Sequence, residues 1–160
     1  MQPSTPGNAD VPTTGGAVPG SPPLAATKVL VIDDSNTIRR SAEIFLKQGG
    51  YVVLLAEDGF DALAKINDHS PELIFCDILM PRLDGYQTCA IIKRNPRFAH
   101  VPVIMLSSKD GLFDKARGRM VGSQDYLTKP FTKEQLLRAV QQFRPDQGAG
   151  NAPAAPGAAP

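Results

Sequence analysis

The feature that most constrains this chain is an alternation repeated five times: a short aliphatic run, then a segment with helical spacing. The runs are Lys28–Asp33, Tyr51–Ala56, Leu73–Asp77, Val101–Leu106 and Gln124–Thr128. A nearly continuous apolar run such as Lys28-Val-Leu-Val-Ile-Asp33 suits a strand covered on both faces, where a half-exposed strand would alternate with polar residues. Strands separated by helices build βα units around a parallel sheet. The expected fold class is therefore α/β, a five-stranded doubly wound parallel sheet with five helices.

Helix ends are marked in the same way. Ser35 or Asn36 is expected to cap the first helix, which carries Ile38, Ala42, Phe45 and Leu46 on one face and stops at Gly49-Gly50. Asp58 caps a second helix with Ala62, Leu63 and Ile66 inward, and Pro71 ends the connection. The loop Met80-Pro-Arg-Leu-Asp-Gly85 separates the third strand from a helix running from near Tyr86 to about Arg94. Asp110–Val121 makes the weakest helix, because Gly111 and Gly118 each cost roughly 1 kcal/mol against alanine. The last helix starts at Thr132 and directs Leu136, Leu137 and Val140 to the sheet.

The 160 residues divide by composition. Residues 1–26 and 146–160 hold nine of the fifteen prolines and seven of the fourteen glycines, with two acids and no lysine or arginine. Such segments bury too little apolar surface to offset chain entropy, so both are expected to be flexible, disordered tails around one domain at 27–145. That domain holds all 17 basic residues and 14 of the 16 acids, a formal +3. This balance, with only the short Lys93-Arg94 and Arg117/Arg119 clusters, argues against nucleic acid; the clusters read as solvated helix faces. MQPSTPGNAD lacks a charged start and an apolar run, and no stretch approaches the ~20 apolar residues of a membrane span. A cytoplasmic protein without membrane insertion is expected. Cys76 and Cys89 fit no zinc or redox spacing and read as packed, reduced thiols.

Polar residues collect where the strands end: Asp33 and Asp34 after the first, Asp77 on the third, Ser107 after the fourth, Lys129 after the fifth. In open parallel sheets, ligands bind at the carboxyl ends of the strands, where the strand order reverses. In the flavodoxin-like order 2-1-3-4-5, the first and third strands are neighbours and their acids meet. Three adjacent carboxylates repel unless a cation compensates them, and a set of hard oxygen donors suits Mg2+. Lysine and serine then supply a positive charge and a hydroxyl for phosphate oxygens.

The segments VLVIDDS, FCDILMPRLDG, VIMLSS and YLTKPF, in this order and spacing, resemble the landmarks of the response-regulator receiver domain of two-component signalling over residues 28 to 144. The resemblance implies that Asp77 is the phosphoacceptor. It implies Asp34 and Asp77 as direct metal ligands, Asp33 reaching the metal through water, and the Leu79 backbone carbonyl completing the set. Ser107 corresponds to the switch hydroxyl and Lys129 to the lysine that pairs with the phosphoryl group. Lys129-Pro130 matches a peptide bond typically cis, and Tyr126 an aromatic that swings inward on activation. A sensor histidine kinase is the implied phosphodonor, and partners would bind through the fourth helix, fifth strand and fifth helix. PRLDGYQTCAIIK and IMLSSKDGLFDKARGRMVGSQDYLTKPF further resemble the small regulators of the chemotaxis-like system controlling type IV pili and twitching motility.

Each residue also has a plainer reading. An Asp-Asp pair after a strand is by itself a helix-capping pattern, and only its combination with Asp77 and Lys129 makes it a site. Asp84 and Gly85 are expected to shape the loop and cap a helix; His69 and His100 are expected at the surface. Leu79 and Lys109 lie two residues beyond Asp77 and Ser107, positions that in this family border the path of water to the phosphoryl group. Three functions compete: a stand-alone Mg2+-dependent phosphorylation switch, not an enzyme; an aspartyl-phosphate phosphatase; and a phosphorylation-independent interaction module. A generic chemotaxis-type regulator is the alternative within the first. The phosphatase needs an acid two residues after its nucleophile, where this chain has Ser35 or Leu79.

Overall fold

A computed structural model describes residues 26–108 and 114–144. The five strands are β1 (Lys28–Ile32), β2 (Val52–Ala56), β3 (Leu73–Asp77), β4 (Val103–Ser108) and β5 (Asp125–Lys129). The helices are α1 (Asn36–Gln48), α2 (Gly59–His69), α3 (Gly85–Arg94), α4 (Lys115–Val121) and α5 (Lys133–Phe143). All strands pair in parallel in the order β2-β1-β3-β4-β5, with β1 beside β3 at the point where the order reverses.

The aliphatic runs are explained by burial on both sides. Leu30, Ile32, Ile74, Cys76, Val103 and Met105 pack with Ala62 and Ile66 of α2 and Cys89 and Ile92 of α3. Val29, Val31, Leu73, Phe75, Ile104 and Leu106 pack with Ala42 and Leu46 of α1 and Leu136 and Val140 of α5. Successive strand residues thus face opposite layers, and each fully buried aliphatic side chain contributes roughly 1.5–3 kcal/mol.

Element ends follow local chemistry. Ser35, Asp58, Asp84, Asp114 and Thr132 each cap a helix by accepting a backbone N–H three residues on. Of the two candidates for the first cap, Ser35 holds the position. Strand β4 begins at Val103, two residues later than the aliphatic run predicts, because Pro102 has no N–H to offer the ladder; its carbonyl accepts from Ile74. Strand β5 runs on to Lys129, one residue past the predicted end, with Ser108 and Lys129 in register. Helix α4 is shorter than the predicted Asp110–Val121, and the start of that prediction, like both predicted tails apart from Ala26, lies outside the described residues.

One expectation is corrected. Lys93 is not part of a solvated face: it is half-buried, and its ammonium donates to the carbonyls of Ala99 and Val101 and to Gln124 Oε1. Helix α3 aims its long side chain beneath the entry to β4, where those carbonyls need a donor. His69 and His100 are exposed, and Cys76 and Cys89 are free, buried thiols, as expected. Among the described residues, no helix is long and apolar enough to cross a membrane.

Candidate functional site

Strand β1 delivers Asp33 one residue past its last paired position, with the Asp33 N–H still bonded to the Ala56 carbonyl at 3.1 Å. The Asp33 side chain is fully buried. Its Oδ1 accepts the Ser35 N–H at 2.8 Å and its Oδ2 meets Lys129 Nζ at 3.0 Å, so both oxygens are engaged within the protein. Asp34, next in sequence, is exposed.

Asp77 closes β3 and is 3% exposed. Its Oδ1 lies 2.9 Å from Lys129 Nζ, which therefore bridges two carboxylates. Helix α3 presses against this strand end through Gly85, whose N–H donates to the Ile78 carbonyl at 2.8 Å. A Cβ at that position would stand 2.2 Å from the Asp77 carbonyl oxygen, so only glycine permits the approach.

The charges are out of balance. One ligand oxygen from each of Asp33, Asp34 and Asp77 lies within 4.8 Å of the others, against the single Lys129 ammonium. Burial, reinforced by the Asp33 charge, pushes the Asp77 carboxyl up to about 7 despite the pull of Lys129. Burial works to lower Lys129, but the Asp77 and Asp33 carboxylates outweigh it and hold the ammonium above its ordinary value. Carboxylate oxygens at this separation form a hard-donor set that suits a divalent cation, with Asp34 at the open side and Asp77 at the buried side.

Ser107 is buried at 4% exposure, at the end of β4 and in register with Thr128. Its hydroxyl donates to the Ser108 carbonyl at 3.4 Å, at the same sheet edge as the acids. Leu79 follows Asp77 in the β3–α3 loop, with its side chain 67% exposed. Tyr126 is not brought into the cluster: it stands on the edge strand at 36% exposure, with the Lys115 ammonium 5.8 Å from its ring. The Lys129-Pro130 peptide is cis. Lys109 lies outside the described residues.

Reading the sequence missed the contacts that frame this site. Arg117 lies over the Tyr86 ring at 4.3 Å, and the Tyr86 hydroxyl accepts the Asp114 N–H at 2.9 Å. Arg82 reaches Asp58 at 3.0 Å and lies over Phe60. No local pattern announces such pairs, although Arg82 stands in the loop that the proline and glycine had marked.

Known proteins with these features are signalling modules. The description "Response regulator receiver domain" fits residues 29–141. Protein PilG of Pseudomonas aeruginosa is 68% identical over 118 residues, spanning 74% of this chain and 87% of PilG. The alkaline phosphatase synthesis transcriptional regulatory protein PhoP of Bacillus subtilis is 38% identical over 114 residues, 71% of this chain and 47% of PhoP. Among solved structures, chemotaxis protein CheY4 of Vibrio cholerae superposes with a TM-score of 0.71 at 34% identity, covering 74% of this chain and 99% of CheY4.

Proposed function

The chain belongs to the response regulator receiver domain family, and from that premise we propose that it is a phosphorylation switch whose Asp77 accepts a phosphoryl group from a histidine kinase. Receiver domains bind Mg2+ at an acidic pocket and imply a kinase phosphodonor and effector partners. The observation that carries the reading is the charge imbalance at the sheet edge, three carboxylates against one ammonium. Mg2+ bound by Asp34, Asp77 and the Leu79 carbonyl, with Asp33 acting through water, would neutralise carboxylate and phosphoryl oxygens there.

In the transfer, an Asp77 carboxylate oxygen attacks phosphorus, the P–N bond of a phosphohistidine breaks, and the freed imidazole takes up a proton. An acyl phosphate results. Lys129 already points its ammonium at Asp77 Oδ1 and can turn it to a phosphoryl oxygen. Ser107 gives up its weak 3.4 Å bond to a neighbouring carbonyl for one to the phosphoryl group. Tyr126 then moves inward from the edge of β5. It lines a cavity of about 270 Å3 with Lys115, Arg119, Ser123, Gln124 and Asp125, part of the α4–β5–α5 surface proposed to meet the effector. The regulatory unit spans residues 27–145, and its output is type IV pilus twitching motility, by likeness to PilG-type regulators.

This is signalling rather than turnover, since Leu79 stands where an aspartyl-phosphate phosphatase would carry its acid. Incubation of the protein with a small-molecule phosphodonor and Mg2+ should add one phosphoryl mass, and Asp77→Asn should take up none. Labelling that survives this substitution would sink the reading.

A further inference from the structure

The β3–α3 loop has fixed ends and a fixed interior. The Gly85 N–H closes it onto the Ile78 carbonyl at 2.8 Å, and the Met80 side chain plugs the core at 8% exposure. Its outer limb, Pro81 to Leu83, is turned by the Leu83 N–H donating to the Pro81 carbonyl at 2.7 Å. Arg82, at the apex, has φ +68°, a left-handed conformation that a non-glycine residue keeps only when its surroundings hold it there.

Two contacts supply that hold, and both lead to the start of α2. Arg82 Nη2 pairs with Asp58 Oδ2 at 3.0 Å, and the guanidinium lies 5.2 Å above the Phe60 ring. Asp58 is itself well anchored: its other oxygen caps α2 by accepting the Asp61 N–H at 2.7 Å, and its side chain is 18% exposed. Beside this pair, Leu83 sits so close to Gly59 that a Cβ there would meet Leu83 Cδ2 at 2.7 Å. The outer limb is therefore strapped to the β2–α2 junction. A planar guanidinium that stacks and pairs at once suits the task better than a flexible ammonium.

Leu79 precedes Arg82 by three residues, in the same closed loop. We propose that Arg82, through Asp58 and Phe60, is a positioning residue for the cation site: it holds the loop that carries Leu79, whose backbone carbonyl the cation reading counts with Asp34 and Asp77 among the ligands. This rests on the cation reading given above. Arg82 touches neither the cation nor the phosphoryl group, and its effect is on the loop.

Substitution with glycine separates this role from a general need for Arg82 in folding, because glycine tolerates φ +68° while removing the strap. Mg2+ titrations of the full chain, by calorimetry and by amide chemical shifts, should show Arg82→Gly binding about fivefold more weakly, a change of about 1 kcal/mol. Its thermal midpoint should not fall below that of the parent by more than a few degrees. Arg82→Lys should lie between the two. Asp58→Asn keeps an oxygen to cap α2 and should reproduce the loss, and the double variant should bind no more weakly than either single one. Affinity of Arg82→Gly within twofold of the parent, or losses that add in the double variant, overturns the proposal. If the parent's own Mg2+ binding is absent or survives Asp34→Asn, the cation reading fails first and this inference with it.

Discussion

Two lysines lie at opposite ends of the sheet, each half-buried and each hydrogen-bonded to side-chain or main-chain oxygens, yet they do different work. Lys93, at the amino ends of β4 and β5, meets two main-chain carbonyls and one amide oxygen. Its partners are neutral, so burial dominates and lowers its pKa. Lys129, at the carboxyl end of β5, meets two buried carboxylates and is held above its ordinary value. The first lysine completes hydrogen bonds, while the second offsets charge and leaves a surplus of negative charge behind. That surplus is what distinguishes a binding edge from a structural edge of the same sheet.

On the proposed function, the two ends should respond differently to Mg2+. In chelator, Lys129→Met leaves Asp33 and Asp77 without a buried counter-charge and should cost about 3 kcal/mol. Denaturant titration should show most of this loss recovered with excess Mg2+, because a cation can replace the missing charge; a loss unaffected by Mg2+ would mean that no cation binds beside these acids.

The same surplus sets a pH dependence in the metal-free protein. The Asp77 carboxyl is raised from 3.8 to about 7, so between those values the folded state holds a proton that the unfolded state has released. Stability should therefore fall as pH rises from about 4 to about 7, by about 2 to 4 kcal/mol from this group. Asp77→Asn removes that slope and should be more stable than the parent at pH 7 in chelator.

Lys93→Met deprives two carbonyls of a donor and should cost about 2 kcal/mol, equally with and without Mg2+ and with phosphoryl uptake unchanged. Recovery by Mg2+ would erase the distinction between the two ends. The smallest effect is kinetic. Leu79→Asn replaces an exposed apolar side chain beside Asp77 with one that can orient water, and should speed loss of the phosphoryl group about fivefold, equivalent to about 1 kcal/mol in the barrier. Equal half-lives would remove Leu79 as a water barrier.

Much of the fold was legible because its signals are local. An aliphatic run of five or six residues, a capping residue three positions before the N–H it accepts, or a glycine at a tight approach can each be read from neighbours along the chain. Strand ends slipped by one or two residues at Val103 and Lys129, where ladder bonds rather than side-chain character decide the boundary. Lys93 was misread for a related reason: a charged residue late in a helix resembles every solvated one until the opposite loop folds over it.

The sequence by itself determined which residues arrive at the carboxyl ends of the strands, since strand periodicity and the parallel βα repeat put Asp33, Asp77, Ser107 and Lys129 there. Only the tertiary structure decided which of them touch. Lys129 joins acids 96 and 52 residues earlier, and Arg82 reaches back 24 residues to Asp58. It also left Tyr126 outside the cluster, on a strand that among the described residues has no neighbouring strand on its outer side. Such pairings depend on strand order and on how closely the loops approach, and neither leaves a periodic trace in the residues that make the contact.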